Sequence, residues 1–131
     1  MIGLDTNVLM RYIAQDDPVH SPLATKLLEE TCDAETPGFV GLVTLAEIVW
    51  VSKRRYGATR QHIAMMLRRL LSADQLAIQN SEMVWNALRL YETSKAEFAD
   101  CLILGLASAT GCNAVMTFDE TAAEAGMTLL K

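Results

Sequence analysis

Hydrophobic positions recur along this chain with two periods, one helical and one of short unbroken runs. Over residues 59–71, Ile63, Met66, Leu67, Leu70 and Leu71 follow the i, i+3, i+4, i+7, i+8 pattern of an amphipathic helix. Residues 81–93 place Val84, Ala87, Leu88 and Tyr91 on one face and predict another helix. From Thr44 to about residue 56, Leu45, Ile48, Val49 and Ser52 share a side. The β-branched residues Ile48, Val49 and Val51 keep a strand open there as the alternative. Residues 97–110 are apolar on nearly every side, as expected of a helix buried between layers.

Short apolar runs at 1–4, 39–43, 75–78, 114–118 and 127–130 read as strands, and helices at 6–14 and 21–31 complete the order. Asp16-Asp17-Pro18 stops the first helix, and Pro37-Gly38 leads into the second strand. Strands alternating with helices predict an α/β fold, a three-layer α/β/α sandwich with a mainly parallel central sheet. The 131 residues contain no linker, repeat or low-complexity tract, so a single domain over 1–131 is expected.

Composition narrows the class. Hydrophobic residues make up 51% and charged residues 21%, which suits a compact soluble protein rather than a disordered one. No run has the length and apolarity of a membrane span; 101–118 is broken by Gly105, Ser108, Thr110, Gly111 and Asn113. No basic segment precedes an apolar stretch, so no secretory signal is expected and the location expected is cytoplasmic. Of three cysteines without metal-type spacing, Cys101 and Cys112 lie in apolar sequence and are expected to be reduced core residues.

A net charge of −5 runs against nucleic-acid binding, because the phosphate backbone rewards positive charge. The sum conceals an uneven distribution. Lys53, Arg54, Arg55, Arg60, Arg68 and Arg69 hold six of the eleven basic residues, with no acid between Glu47 and Asp74. That block either contacts phosphate or forms a solvated helix face.

The acids are the more informative charges. Asp5 is the sole charged side chain in residues 1–10, Glu47 in 36–52, and Asp100 in 98–118, where Asp119 then ends the run. An unpartnered carboxylate in apolar surroundings costs several kcal/mol or keeps its proton. Four such acids without basic neighbours in sequence suggest a cation as the compensating charge. In a parallel sheet, the carboxyl ends of strands meet the first turns of helices, and ligands bind there. Asp5 and Asp119 follow strands, Glu47 falls in the first turn after the second strand, and Asp100 in the opening turn of the helix before the 114–118 strand. All four map to that edge, where helix N-termini help keep them ionised. Oxygen-only ligation favours Mg²⁺ or Mn²⁺ over Zn²⁺.

Each acid also has a purely structural use. Thr44-x-x-Glu47 and Ser94-x-x-Glu97 match capping boxes, and for Glu97 the cap is the better reading. Asp5 and Asp119 match helix N-caps. Asp100 has the weakest structural explanation. His20 and His62 stand alone, and Arg11 is expected to pair with Asp16 or Asp17 at the surface. Trp50, Trp85 and the seven methionines are expected in the core or in an apolar subunit contact.

Four blocks, Leu4-Asp5-Thr6-Asn7-Val8-Leu9-Met10-Arg11-Tyr12, Thr44-Leu45-Ala46-Glu47, Phe98-Ala99-Asp100 and Thr117-Phe118-Asp119, resemble the PIN-domain ribonucleases in order and spacing. The likeness covers essentially the whole chain and is nearest to the VapC-type toxins of bacterial toxin–antitoxin pairs. It implies metal-binding roles for Asp5, Glu47, Asp100 and Asp119, the acids already singled out. It also aligns the family's Thr/Ser with Thr117 and its frequent polar helper with Asn7. Glu97 departs from the pattern, standing where many members carry Asp, which leaves it a supporting role.

The resemblance further implies endonucleolytic cleavage of RNA with Mg²⁺ or Mn²⁺, homodimers, and an antitoxin whose basic tail enters the acidic groove. Two rivals stand beside it. One is a catalytically idle PIN module that binds RNA or protein. The other is a phosphatase of haloacid-dehalogenase type with Asp5 as nucleophile, which lacks the expected second acid because Asn7 stands there.

Overall fold

Strand β1 (Ile2–Gly3) pairs in parallel with β2 (Gly38–Val40), and β2 with β3 (Leu76–Ile78), in a computed structural model that describes all 131 residues. A second parallel pair joins β4 (Met116–Thr117) to β5 (Thr128–Leu129). The residues fall into two compact units. The first is Met1–Ala58 with Arg69–Gln79 and holds β1, β2 and β3; the second is Thr59–Arg68 with Asn80–Lys131 and holds β4 and β5. Each strand falls within or one residue outside its predicted run, and all pairing is parallel, which the intervening helices make possible by carrying the chain back.

In the first unit, helix α1 (Thr6–Ala14) starts at Asp5, whose carboxylate accepts the Val8 N–H, and buries Leu9 and Met10. It ends at Gln15 (φ 52°), whose N–H reaches the Arg11 carbonyl. The stop thus falls one residue ahead of Asp16-Asp17-Pro18. Asp17 instead opens the next helix by accepting the N–H groups of Val19 and His20. Helix α2 (His20–Lys26) finishes in a π-turn over Leu27–Thr31, closed by the Cys32 N–H on the Leu27 carbonyl.

Helix α3 (Leu42–Tyr56) buries Leu45, Ile48, Val49 and Ser52, the predicted face, and the strand alternative falls away. It begins two residues earlier than Thr44 because Gln79, just past β3, accepts the Leu42 N–H through its side-chain oxygen at 3.0 Å. Thr44 therefore lies inside the helix and forms no capping box with Glu47, which sits in the second turn rather than the first. Gly57 closes α3 at φ 62°, a left-handed value that costs glycine little.

Helix α4 (Arg60–Ser72) runs from the second unit into the first and buries Ile63, Ala64, Leu67 and Leu70. In the second unit, α5 (Ser81–Thr93) turns inward Val84, Ala87, Leu88 and Tyr91, as its spacing predicted. It packs against α6 (Phe98–Thr110), with the Tyr91 and Phe98 rings edge-to-face at 5.9 Å. A Cβ at Gly105 would come within 2.6 Å of Met83 Sδ, so glycine permits this close approach.

Three expectations need correction. Helix α6 is not enclosed on every side: Phe98, Cys101 and Leu102 are buried, whereas Ile103 and Leu106 are exposed. Uniform apolarity conceals which face packs. Cys112 is exposed because it lies just beyond Gly111 (φ 94°), where α6 has ended; Cys32 and Cys101 are buried, and all three thiols are free. Trp50 is 59% exposed, with the Arg54 guanidinium 5.6 Å from its ring, so of its two expected places the core falls away. A short helix, α7 (Glu120–Glu124), follows Asp119 where none was predicted. No helix is long and apolar enough to cross a membrane.

Candidate active site

Asp5 stands two residues beyond β1 in extended backbone (φ −93°, ψ 173°) and caps α1. The Val8 N–H occupies only Oδ1, at 3.0 Å, so the cap leaves Oδ2 open. Thr6 donates its hydroxyl to Glu47 Oε1, also at 3.0 Å, tying the start of α1 to the second turn of α3. Asp5 and Glu47 are exposed and open onto a shared cavity of about 290 Å³, with Asn7, Arg11 and Arg55 among its walls. Asn7 is exposed and makes no hydrogen bond through its side chain.

In the second unit, Asp100 lies in the first turn of α6 and is half-buried. Burial, then the negative charges of Asp119 and Glu97, push its carboxyl above the ordinary carboxylate range. Asp119 caps α7 by accepting the Thr121 N–H at 2.9 Å. Its own N–H donates to Thr117 Oγ1 at 3.0 Å, so Thr117 fixes the turn that presents this acid. Glu97 occupies the N-cap position of α6, yet its side chain does not cap the helix; the Ser94 hydroxyl accepts the Ala96 N–H instead of completing a capping box.

The structure thus gathers predicted residues in each unit: Asp5 with Glu47 in the first, and Asp100 with Asp119, Thr117 and Glu97 in the second. The N-cap readings of Asp5 and Asp119 hold, and capping leaves each with a second carboxylate oxygen to offer. No group of three or more His, Cys, Asp or Glu side chains that could hold a metal ion is present. By donor chemistry the acids suit a hard divalent cation: all donors are carboxylate oxygens, and the groups that perturb Asp100 by charge are themselves acidic.

The sequence profile of the PIN domain matches residues 2–126. The chain belongs to the PIN-domain family. The match spans both compact units, and helices joined to parallel strands are consistent with the three-layer α/β/α architecture of a PIN domain. PIN domains are in general nucleases, which places the chain among hydrolases of nucleic acid at that coarse level, and they typically use divalent metals. No curated protein matched the chain.

Sequence reading passed over Thr6 and did not single out Arg55. Thr6 had a visible signal, since it follows an isolated acid, but a hydroxyl does not reveal its partner forty-one residues away. Arg55 was lost within the basic block, whose members turn out to have different uses.

Proposed function

We propose that this PIN domain is a Mg²⁺- or Mn²⁺-dependent endoribonuclease and the toxin of a type II toxin–antitoxin pair, working in the cytoplasm. The observation that carries this reading is that Asp5 and Glu47 open onto one cavity in a chain that matches the PIN profile over residues 2–126, with Asp100 and Asp119 neighbouring acids in the second unit. A half-buried carboxylate raised by its surroundings and by two neighbouring acids is the setting that a divalent cation relieves.

Asp5, Asp100 and Asp119 would hold the ion, and Glu47 would complete the set or accept a proton through water. When bound, the ion supplies a more acidic water and positive charge for the phosphate oxygens. The chain's own residues prepare the rest. Thr6 occupies one oxygen of Glu47 and leaves the other to receive a proton. Thr117 sets the turn that aims Asp119. Asn7, which lines the cavity with Asp5 and Glu47, would donate its amide to a phosphate oxygen or to water. Water oxygen attacks phosphorus, the bond to the leaving ribose oxygen breaks, and that oxygen takes a proton.

The partners proposed are an RNA substrate, a second copy in a homodimer, and an antitoxin whose tail brings Arg or Lys to these carboxylates. Incubation of the chain with total cellular RNA tests the reading. Cleavage is expected with Mg²⁺, none with EDTA, and at least about a hundredfold loss in Asp5→Ala and Asp100→Asn. Full activity in both variants would remove the site assignment; binding without cleavage would favour the idle module.

A further inference from the structure

The sequence left the basic block between Lys53 and Arg69 without a role, and the structure divides it. Arg60 turns inward and donates to the carbonyls of Tyr91, Ser94 and Ala96 at 2.7, 3.1 and 3.0 Å. Arg68 is bound to both oxygens of Glu92. Arg54 lies over the Trp50 ring. Arg55 differs from these. It is exposed, forms no hydrogen bond or ion pair, and lines the cavity that Asp5 and Glu47 share.

The other guanidinium at that cavity is already engaged. Arg11 faces Asp16 at 3.4 Å and Asp17 at 3.9 Å, and Asp16 also accepts the Tyr56 hydroxyl at 2.7 Å. Arg55 is therefore the uncommitted cation on a wall that also carries two carboxylates. A phosphodiester strand approaching those carboxylates is repelled, and a chain of net charge −5 offers little general attraction to offset it. A guanidinium is always charged and presents a planar fork of donors that matches two phosphate oxygens.

We propose that the cavity beside Asp5 and Glu47 is an RNA-phosphate subsite, and that Arg55 is the residue that positions a backbone phosphate there. The proposal rests on the ribonuclease reading and extends it to how the substrate is held. Arg55 touches the strand without taking part in bond cleavage, so its removal falls on affinity. No side-chain hydrogen bond or ion pair is lost with it.

The test compares wild type, Arg55→Ala, Arg55→Lys and, as a matched loss of one positive charge, Arg89→Ala, in which a hydrogen bond to Asn86 is removed. Binding of a short single-stranded RNA of mixed sequence is followed by fluorescence anisotropy in EDTA over a range of NaCl. Cleavage of the same RNA with Mg²⁺ supplies kcat and KM. Arg55→Ala is expected to weaken binding roughly three- to tenfold and to flatten the slope of log affinity against log salt by about 0.7. KM should rise in step, with kcat within about twofold of wild type. Arg55→Lys should recover part of the affinity and the full salt slope, and Arg89→Ala should match wild type. Unchanged affinity and slope in Arg55→Ala would overturn the proposal while leaving the nuclease reading intact. Wild type that binds but does not cleave overturns the nuclease reading, and the binding comparison still decides the subsite. Wild type that binds no RNA overturns both.

Discussion

The Thr6 hydroxyl donates to Glu47 Oε1 at 3.0 Å, across forty-one residues of chain, and so joins the beginning of α1 to the second turn of α3. The bond is exposed, and its contribution to stability is expected to be small, below about 1 kcal/mol. Its effect on Glu47 is directional: one oxygen is occupied and the other is left free of Thr6. Thr6→Val should leave the urea midpoint nearly unchanged and lower RNA cleavage about tenfold or more, as loss of a supporting partner does at metal sites. Thr6→Ser keeps the hydroxyl and should recover most of the rate. Equal rates in wild type and Thr6→Val would deny the hydroxyl any part in catalysis.

Asp5 has two jobs that substitution can separate. As an N-cap it accepts the Val8 N–H, a role asparagine also fills. As a proposed ligand it needs negative charge. Asp5→Asn should therefore keep stability within about 0.5 kcal/mol and lose activity, whereas Asp5→Ala should lose activity and about 1 kcal/mol as well. Denaturant melts beside cleavage assays distinguish the two. An active Asp5→Asn would reduce this residue to a cap.

Arg60 belongs to the architecture of the second unit. Its guanidinium nitrogen meets three carbonyls around the end of α5, and its carbon stands 3.9 Å from the Tyr91 ring centroid. Removing it strands those acceptors and the stacked ring together. Arg60→Ala is expected to destabilise by about 2–3 kcal/mol in urea unfolding. Arg60→Lys keeps the charge but not the planar guanidinium that lies over the Tyr91 ring, and should restore only part of the loss. A loss under about 0.5 kcal/mol would contradict a structural role.

The pair of Tyr56 and Asp16 predicts a pH response. The Tyr56 hydroxyl is the main cause holding the Asp16 carboxyl below its ordinary value of 3.8, with Arg11 adding to it. A depressed folded-state value favours folding when the group is ionised. That contribution is present above 3.8 and disappears as pH falls through the lowered folded value. In Tyr56→Phe, Asp16 should titrate higher, moving toward 3.8, as followed by carboxyl-carbon NMR. An unmoved titration would assign the effect to Arg11 and the backbone.

Much of the fold was legible because periodicity is a local signal. Val84, Ala87, Leu88 and Tyr91 are buried as their spacing indicates, and so is the face of α3 from Leu45 to Ser52. What escaped depended on distant partners or on too few residues. The early start of α3 is held by Gln79, thirty-seven positions from Leu42. Five residues sufficed for α7, too short for a period to emerge. Helix α6 gave the wrong burial because an evenly apolar sequence carries no phase.

At the candidate site the acids were legible because an isolated charge in apolar sequence stands out. Their neighbours were not. Thr6 and Thr117 look like any surface threonine until the backbone brings them to Glu47 and Asp119. Arg55 and Arg60 lie five positions apart in one basic block, yet one faces a cavity and the other is stitched into carbonyls. Composition cannot separate them, because the direction of a side chain is set by helix phase and by what packs around it.

Trp50 lies in the first unit and Trp85 in the second, and the chain has no other tryptophan. Each unit thus carries its own intrinsic fluorophore. Replacing either indole with phenylalanine leaves a protein whose tryptophan emission, excited apart from the tyrosines, reports one unit alone without an attached dye. The exposed Trp50 beneath Arg54 is also open to collisional quenchers in the native state, so iodide should dim it before any unfolding begins.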